Sequence, residues 1–337
     1  MAVQPVELDL AIRPKRRFEI VDVAALIRTQ VGEELNPYRK VAYCSFHTTA
    51  GYLEQAVCTR LGYSHKQLAP LIRAVQKIFP HNAGYFHDRM QLRDELSDSQ
   101  KEEEPINGDS HLTFISAGLN NCVIYIHHPD EPVYFIELDG IYKHHVRQRR
   151  TTVMAYSDTE VVQRGRVTIP VSEGRAIEAF NLNDPRYGLF SQVADWSRQH
   201  GVEKGYVDIR LAPEEKHVGM TVNEYEALLM RNDLPQALID PLRFALQRGN
   251  DVVQLYNYLM DQVPVGRSVI DRIFAALSTP AKRILRLKRH IRLLISDRAE
   301  AGANHILHGT YQSPILVQYH PAPNGVRHLN ITLHRFV

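Results

Sequence analysis

Val41-Ala42-Tyr43-Cys44-Ser45-Phe46-His47-Thr48-Thr49-Ala50-Gly51 is the stretch on which the reading turns. Its first six residues are apolar or small, with no Gly or Pro, as expected of a buried strand. The run then breaks into a histidine, two threonines and a small-residue turn. An imidazole is therefore delivered at the end of a buried strand, where loops from elsewhere in the chain can meet it.

Upstream, Leu8-Asp9-Leu10-Ala11-Ile12 alternates as a strand, and a second strand is expected over 18–21. Asp22 is placed to cap a helix over 23–30. Downstream come a helix over 68–79, a loop over 80–88 and an acidic, exposed excursion over 94–107. Strands are expected over 112–116, 121–127, 133–138 and 151–156, closing one α+β domain near Ser157.

The second half opens in the same order. Strands are expected over 167–171 and 176–182, and Asp184-Pro185 starts a helix carrying Leu189, Val193 and Trp196. A strand follows over 206–211, and two more, 315–319 and 329–336, end the chain. Strand, strand, helix, strand thus occurs twice, about 160 residues apart. The middle, 221–298, reads as helices broken by Pro235, Pro241, Pro264 and Pro280. The expected fold class is α+β: two domains in tandem, 1–158 and 159–337, the second with a large helical insertion over about 224–300.

A length of 337 residues suits two domains, and a net charge of +2 singles out neither nucleic acid nor membrane as a partner. Three cysteines (Cys44, Cys58, Cys122) lack metal-pair spacing, and no leader or membrane-length apolar run is seen, so the expected place is the cytoplasm. A basic helix is expected over 281–298, with Lys282, Arg283, Arg286, Lys288, Arg289, Arg292 and Arg298. It is more often a solvated face than a nucleic-acid surface.

Three histidines stand where strand ends and loops converge. His47 ends the opening stretch, His87 ends the loop Asn82-Ala83-Gly84-Tyr85-Phe86-His87-Asp88, and His111 follows Gly108-Asp109-Ser110. Three imidazoles leave a tetrahedral divalent metal, zinc above all, one open position. Asp88 and Asp109 are candidates to orient an imidazole or to act as acid and base. In a chain with 17 histidines, separate solvated rings are the bland alternative.

These motifs in order resemble the YjbQ-like family, described as secondary thiamine-phosphate synthases. Phe135-Ile136-Glu137-Leu138-Asp139-Gly140 followed by Arg149-Arg150 is similar to that family's closing segment, and the resemblance covers about residues 6–156. It implies small α+β domains that associate as homo-oligomers, with the active site at the histidines. By that implication the metal ligands are His47, His87 and His111. The catalytic candidates are His47, Asp88, Asp109 and Glu224, and Thr48, Thr49, Lys143, Arg149 and Arg150 bind a phosphorylated or otherwise anionic small molecule.

Two elements of the family pattern are missing from the first half and present in the second. Thr221-Val222-Asn223-Glu224 matches a Thr-x-Asn-Glu element, and Gly309-Thr310-Tyr311-Gln312 resembles a Gly-Thr-Trp-Gln element. Nine residues before Glu224, where the family places its first histidine, stands Glu215. Two functional readings result. One is a metal-dependent transferase acting on phosphorylated small molecules, its pocket shared by both halves. The other is a non-catalytic binding or structural protein whose insert docks a partner.

Overall fold

The computed structural model describes residues 4–172, 177–247, 285–299 and 305–337. The opening stretch forms β3 (Lys40–Ser45), buried along nearly its whole length because a strand lies on each side of it. The flanking strands are β9 (Arg149–Tyr156) and β5 (Cys122–Ile126), and β1 (Val6–Ile12) completes the antiparallel order β1-β9-β3-β5. A second sheet has the order β2-β6-β4, from Glu19–Asp22, Tyr134–Glu137 and Ala50–Tyr52. A two-stranded hairpin, β7 (Ile141–Tyr142) with β8 (His145–Val146), hangs between β6 and β9.

Helix α1 (Val23–Val31) starts where its cap requires, the Asp22 carboxylate accepting from Ala25 N at 3.2 Å. Helices α2 (Gln55–Arg60), α3 (His65–Ile78) and α4 (Asp98–Glu103) follow. Residues 112–116, expected as a strand, instead lie within helix α5 (Gly108–Ala117). All ten residues of α5 are buried, so it shows no polar face and hence no helical period in its sequence. Its ends carry the signal: Asp88 Oδ1 accepts from the amides of Asn107 and Gly108, and Gly118 closes the helix at φ 76°.

The second half contains β10 (Thr159–Pro170), β11 (Glu178–Asn181), α6 (Leu189–Gln199), β12 (Lys204–Leu211) and β13 (Val218–Glu224). After α7 (Leu234–Ile239) and α8 (Arg243–Gln247) come β14 (His290–Ser296), β15 (Gln312–Gln318) and β16 (Val326–Phe336). Its sheets are ordered β10-β16-β12-β14 and β11-β15-β13. Setting the hairpin aside, both halves place their first, last, third and fifth strands in one sheet and their second, sixth and fourth in the other.

The helical reading of the middle needs two corrections. Residues 221–224 belong to β13, not to a helix. Among the described residues, helix runs only from 227, through the π-helical turn Leu229–Asp233, to α8; 248–284 lie outside them. The expected basic helix is the second correction, since its described part contains strand β14, paired with β12 through Asp208↔Arg292. Ile291, Leu293 and Ile295 alternate into the second half's core, while Leu294 packs on the opposite face against the first half. Leu294 thus interrupts the alternation with His290, Arg292 and Ser296 on its face, and the period of two is hidden. Lys282 and Arg283 lie outside the described residues.

Leu294 and Phe336 meet Ala42, Cys44, Cys122, Met154 and Tyr156 in a small apolar layer joining the halves. Tyr156 stacks on Phe336 with centroids 3.8 Å apart. The three cysteines are free and buried. Among the described residues no helix is long and apolar enough to cross a membrane.

Candidate functional site

His111 projects from α5 toward the end of β13, where its Nδ1 lies 2.7 Å from Asn223 Oδ1. The Asn223 amide cannot be turned over, because Oδ1 also accepts from Glu224 N at 2.8 Å and Nδ2 donates to Thr48 O at 3.2 Å. His111 Nδ1 therefore carries the proton and Nε2 carries the lone pair. That Nε2 is buried, has no hydrogen-bond partner among the described residues, and sits 3.5 Å from Glu224 Oε2. Burial, with the charge of His87 beside it, depresses the ring's pKa to about 3.

His87 has the opposite character. Its Nδ1 lies 3.0 Å from Glu226 Oε2 and its Nε2 3.0 Å from Asn107 Oδ1. Asn107 Nδ2 donates to Asp139, which fixes Oδ1 toward the ring. Both nitrogens face acceptors, so the ring is held as imidazolium. Burial alone would lower its pKa, but Glu226 and Glu224 outweigh that and raise it. Asp233 clamps the same loop, accepting from the amides of Phe86 and His87 at 2.9 and 2.8 Å. Donor atoms of His87, His111 and Glu224 all lie within 4.8 Å of one another, and the two rings are 4.9 Å apart.

His47, expected with the other two histidines, is not in this group. Its Nε2 accepts from Arg150 N at 2.9 Å, and its Nδ1 lies 3.4 Å from Arg149 Nη1. Burial and then the neighbouring Arg149 and Arg147 lower its pKa to about 3. The second half holds this corner in place: Gln312 Nε2 donates to Ser45 O and His47 O, both at 2.9 Å. Gly309 packs so closely that a Cβ there would stand 1.9 Å from Phe46 O.

The remaining expected residues are placed as follows. Arg149 is buried and bound by Glu137 through Nε and Nη2 at 2.5 and 2.9 Å, with Thr49 Oγ1 at 3.1 Å. Arg150 lies over the Phe46 ring, 4.5 Å from its centroid. Asp88 caps α5, and Asp109 forms a two-pronged pair with Arg17, both contacts 2.9 Å. Lys143 donates to Glu102 O on the surface. Asp88, Asp109 and Lys143 are not among the His87–His111–Glu224 group, Asp109 being buried against Arg17.

A cavity of about 360 Å³ opens beside the group, lined among others by His47, Thr48, Thr49, Arg93, Arg147, Arg149, Glu224 and Tyr311. Arg93 is buried between Glu95, Glu104 and Glu224 and ties the acidic excursion to the site. A second chamber of about 460 Å³ shares Phe46, His47 and Tyr311 with the first. Sequence reading missed Arg93, Asn107, Glu226 and Asp233. Only Glu226 carried a usable signal, being two residues beyond the Asn-Glu pair.

No family model matches the chain, and no curated protein matches it. Solved structures do. A YbjQ-like protein of unknown function from Sulfolobus solfataricus is 14% identical over 53% of this chain and 99% of its own, with a TM-score of 0.30. An uncharacterised conserved protein of the YjbQ family from Clostridium acetobutylicum is 12% identical over 50% of this chain and 98% of its own, TM-score 0.27. A conserved hypothetical protein from Thermus thermophilus is 14% identical over 51% of this chain and 99% of its own, TM-score 0.25. None of these descriptions names a thiamine phosphate or any other substrate, and each likeness spans about half of this chain.

Proposed function

We propose that the chain is two copies of one α+β fold whose boundary forms a site for a divalent cation, of zinc type, acting on a small phosphorylated or otherwise anionic molecule. The observation that carries this reading is the orphaned His111 Nε2 lone pair facing a carboxylate oxygen at 3.5 Å. Two oxygen or nitrogen ligands of one tetrahedral ion stand roughly 3.3 Å apart at ligand bonds of ~2.0–2.1 Å. The pair therefore fits a shared cation without large movement.

His87 is the third donor. It joins only by giving up a ring proton and one of its bonds to Glu226 or Asn107, so loading releases a proton. Asn223 orients His111 as an outer partner orients a metal-bound imidazole. When bound, the cation supplies a Lewis acid that polarises a phosphate or carbonyl oxygen. The chain's own residues do the rest. Arg147 and Arg149 present positive charge to the adjoining cavity, and Arg93 restrains Glu224.

Elemental analysis of purified protein tests the reading. About one equivalent of zinc or cobalt per chain is expected, lost in His111→Ala and in Glu224→Gln while circular dichroism shows both folded. Wild-type protein that stays metal-free at micromolar zinc overturns it.

A further inference from the structure

The corner holding His47 has a counterpart in the second half, and the difference between them identifies what the first lacks. In the second half Arg327 lies near the start of β16 as Arg149 starts β9. Glu215, from the segment after β12, accepts from the amide of the next residue, His328, at 2.7 Å, and from Arg327 Nη1 at 3.0 Å. One carboxylate thus joins a strand amide to an arginine.

In the first half His47, from the segment after β3, accepts from the amide of the residue following Arg149, at 2.9 Å. That bond uses the lone pair on Nε2, so the neutral ring carries its proton on Nδ1. Nδ1–H then faces Arg149 Nη1 at 3.4 Å, donor against donor. Glu137, Thr49 and Asp139 O take up Nε and Nη2 of Arg149. For Nη1, the only hydrogen-bond neighbour among the described residues is that ring nitrogen. Arg147, on the same cavity wall, has a buried Nε with no partner among the described residues. Two N–H groups 3.4 Å apart, His47 Nδ1 and Arg149 Nη1, thus have no acceptor between them among the described residues, and Arg147 lines the same cavity; the second half supplies its own carboxylate at the matching place.

We infer that His47 Nδ1, Arg149 Nη1 and Arg147 Nε form a seat for an oxyanion, a carboxylate or phosphate group of a small molecule, and that Glu215 plugs the matching place in the second half. Two donors 3.4 Å apart share one oxygen at ordinary charge-assisted distances of about 2.8 Å. Glu103 and Glu104 also line the cavity, and Arg93 engages Glu104; Arg147 Nη2 is paired with Asp139 at 2.9 Å, which leaves its Nε and the Nη1 end of Arg149 for a ligand. The seat rests on reading this cavity as the ligand chamber; it does not require a cation at His111 and Glu224.

The test is calorimetric titration of the full-length protein with inorganic phosphate and, separately, with acetate, the metal content of every sample being measured. Wild type is expected to bind at least one of the two, and the stronger identifies the group. Arg149→Lys keeps a cation against Glu137 but removes Nη1, and Arg147→Gln removes the second guanidinium. Each is expected to weaken binding at least about tenfold. His47→Glu imports the second half's arrangement; it is expected to abolish binding, raise the Tm and leave metal content unchanged. Wild type that binds neither anion overturns the seat, as does His47→Glu that binds like wild type. Loss of metal with anion binding intact counts against the cation site alone.

Discussion

His111 of the first half and Asn223 of the second are joined by a 2.7 Å hydrogen bond that decides which imidazole nitrogen is free. Asn223→Ala removes the only acceptor of that Nδ1 proton among the described residues. The ring then loses its tautomer preference, and cation affinity is expected to fall roughly 10–100-fold. Competition with a zinc-sensitive dye measures this; unchanged affinity would mean that Asn223 merely fills space.

Glu137 and Arg149 form a buried pair whose rupture strands a charge. Glu137→Ala is expected to destabilise the fold by about 3–5 kcal/mol, because among the described residues the guanidinium keeps only Thr49 and a carbonyl as acceptors. Urea denaturation reads the effect, and a loss below about 1 kcal/mol, the level of an exposed pair, contradicts the burial.

Gly309 admits no side chain, since its Cβ would lie 1.9 Å from Phe46 O, a backbone atom. Gly309→Ala must therefore move either the 309–312 turn or the strand end carrying His47. A loss of at least about 2 kcal/mol is expected, together with weaker anion binding. Thermal melts and phosphate titration check both halves of that statement.

Stability should also fall on acidification. His47 and His111 are each held to about 3. The unfolded chain takes up protons at these rings below about pH 6.5, where the folded chain does not, so stability declines as pH drops from there. At pH 5 each ring contributes up to about 2 kcal/mol of loss. His87, whose pKa is raised, works with the opposite sign: it stabilises at low pH and loses that contribution as pH rises through its folded value. Denaturation midpoints measured from pH 7 to 5 should fall, and fall less in His47→Gln. A flat profile for wild type contradicts the neutral tautomers.

Much of this was legible in the residues alone. The strand leading to His47, the Asp22 cap and the repeated order of elements all rest on local patterns. The second half's Asn223-Glu224 could be noticed as the complement of the first half's histidines. What stayed hidden was whatever is buried on all sides. Helix α5 shows no amphipathic period because nothing on it meets water, and β14 mimics a basic amphipathic helix because one of its faces serves a core and the other the junction. The separation of His47 from the other histidines was equally unreadable. It depends on an Arg150 amide more than a hundred residues away, a contact that strand register dictates and composition does not.

His87 and His111 are both fully shut off from solvent, while Glu224 reaches the cavity wall. Whatever docks on the imidazole lone pair must travel past that carboxylate and the guanidinium restraining it. If a cation binds there, its exchange is expected to depend on how readily the Arg93–Glu224 pair at 3.4 Å parts. An ion once seated would leave slowly even before an excess of chelator, and the residence time, more than the affinity, would bear the imprint of Arg93.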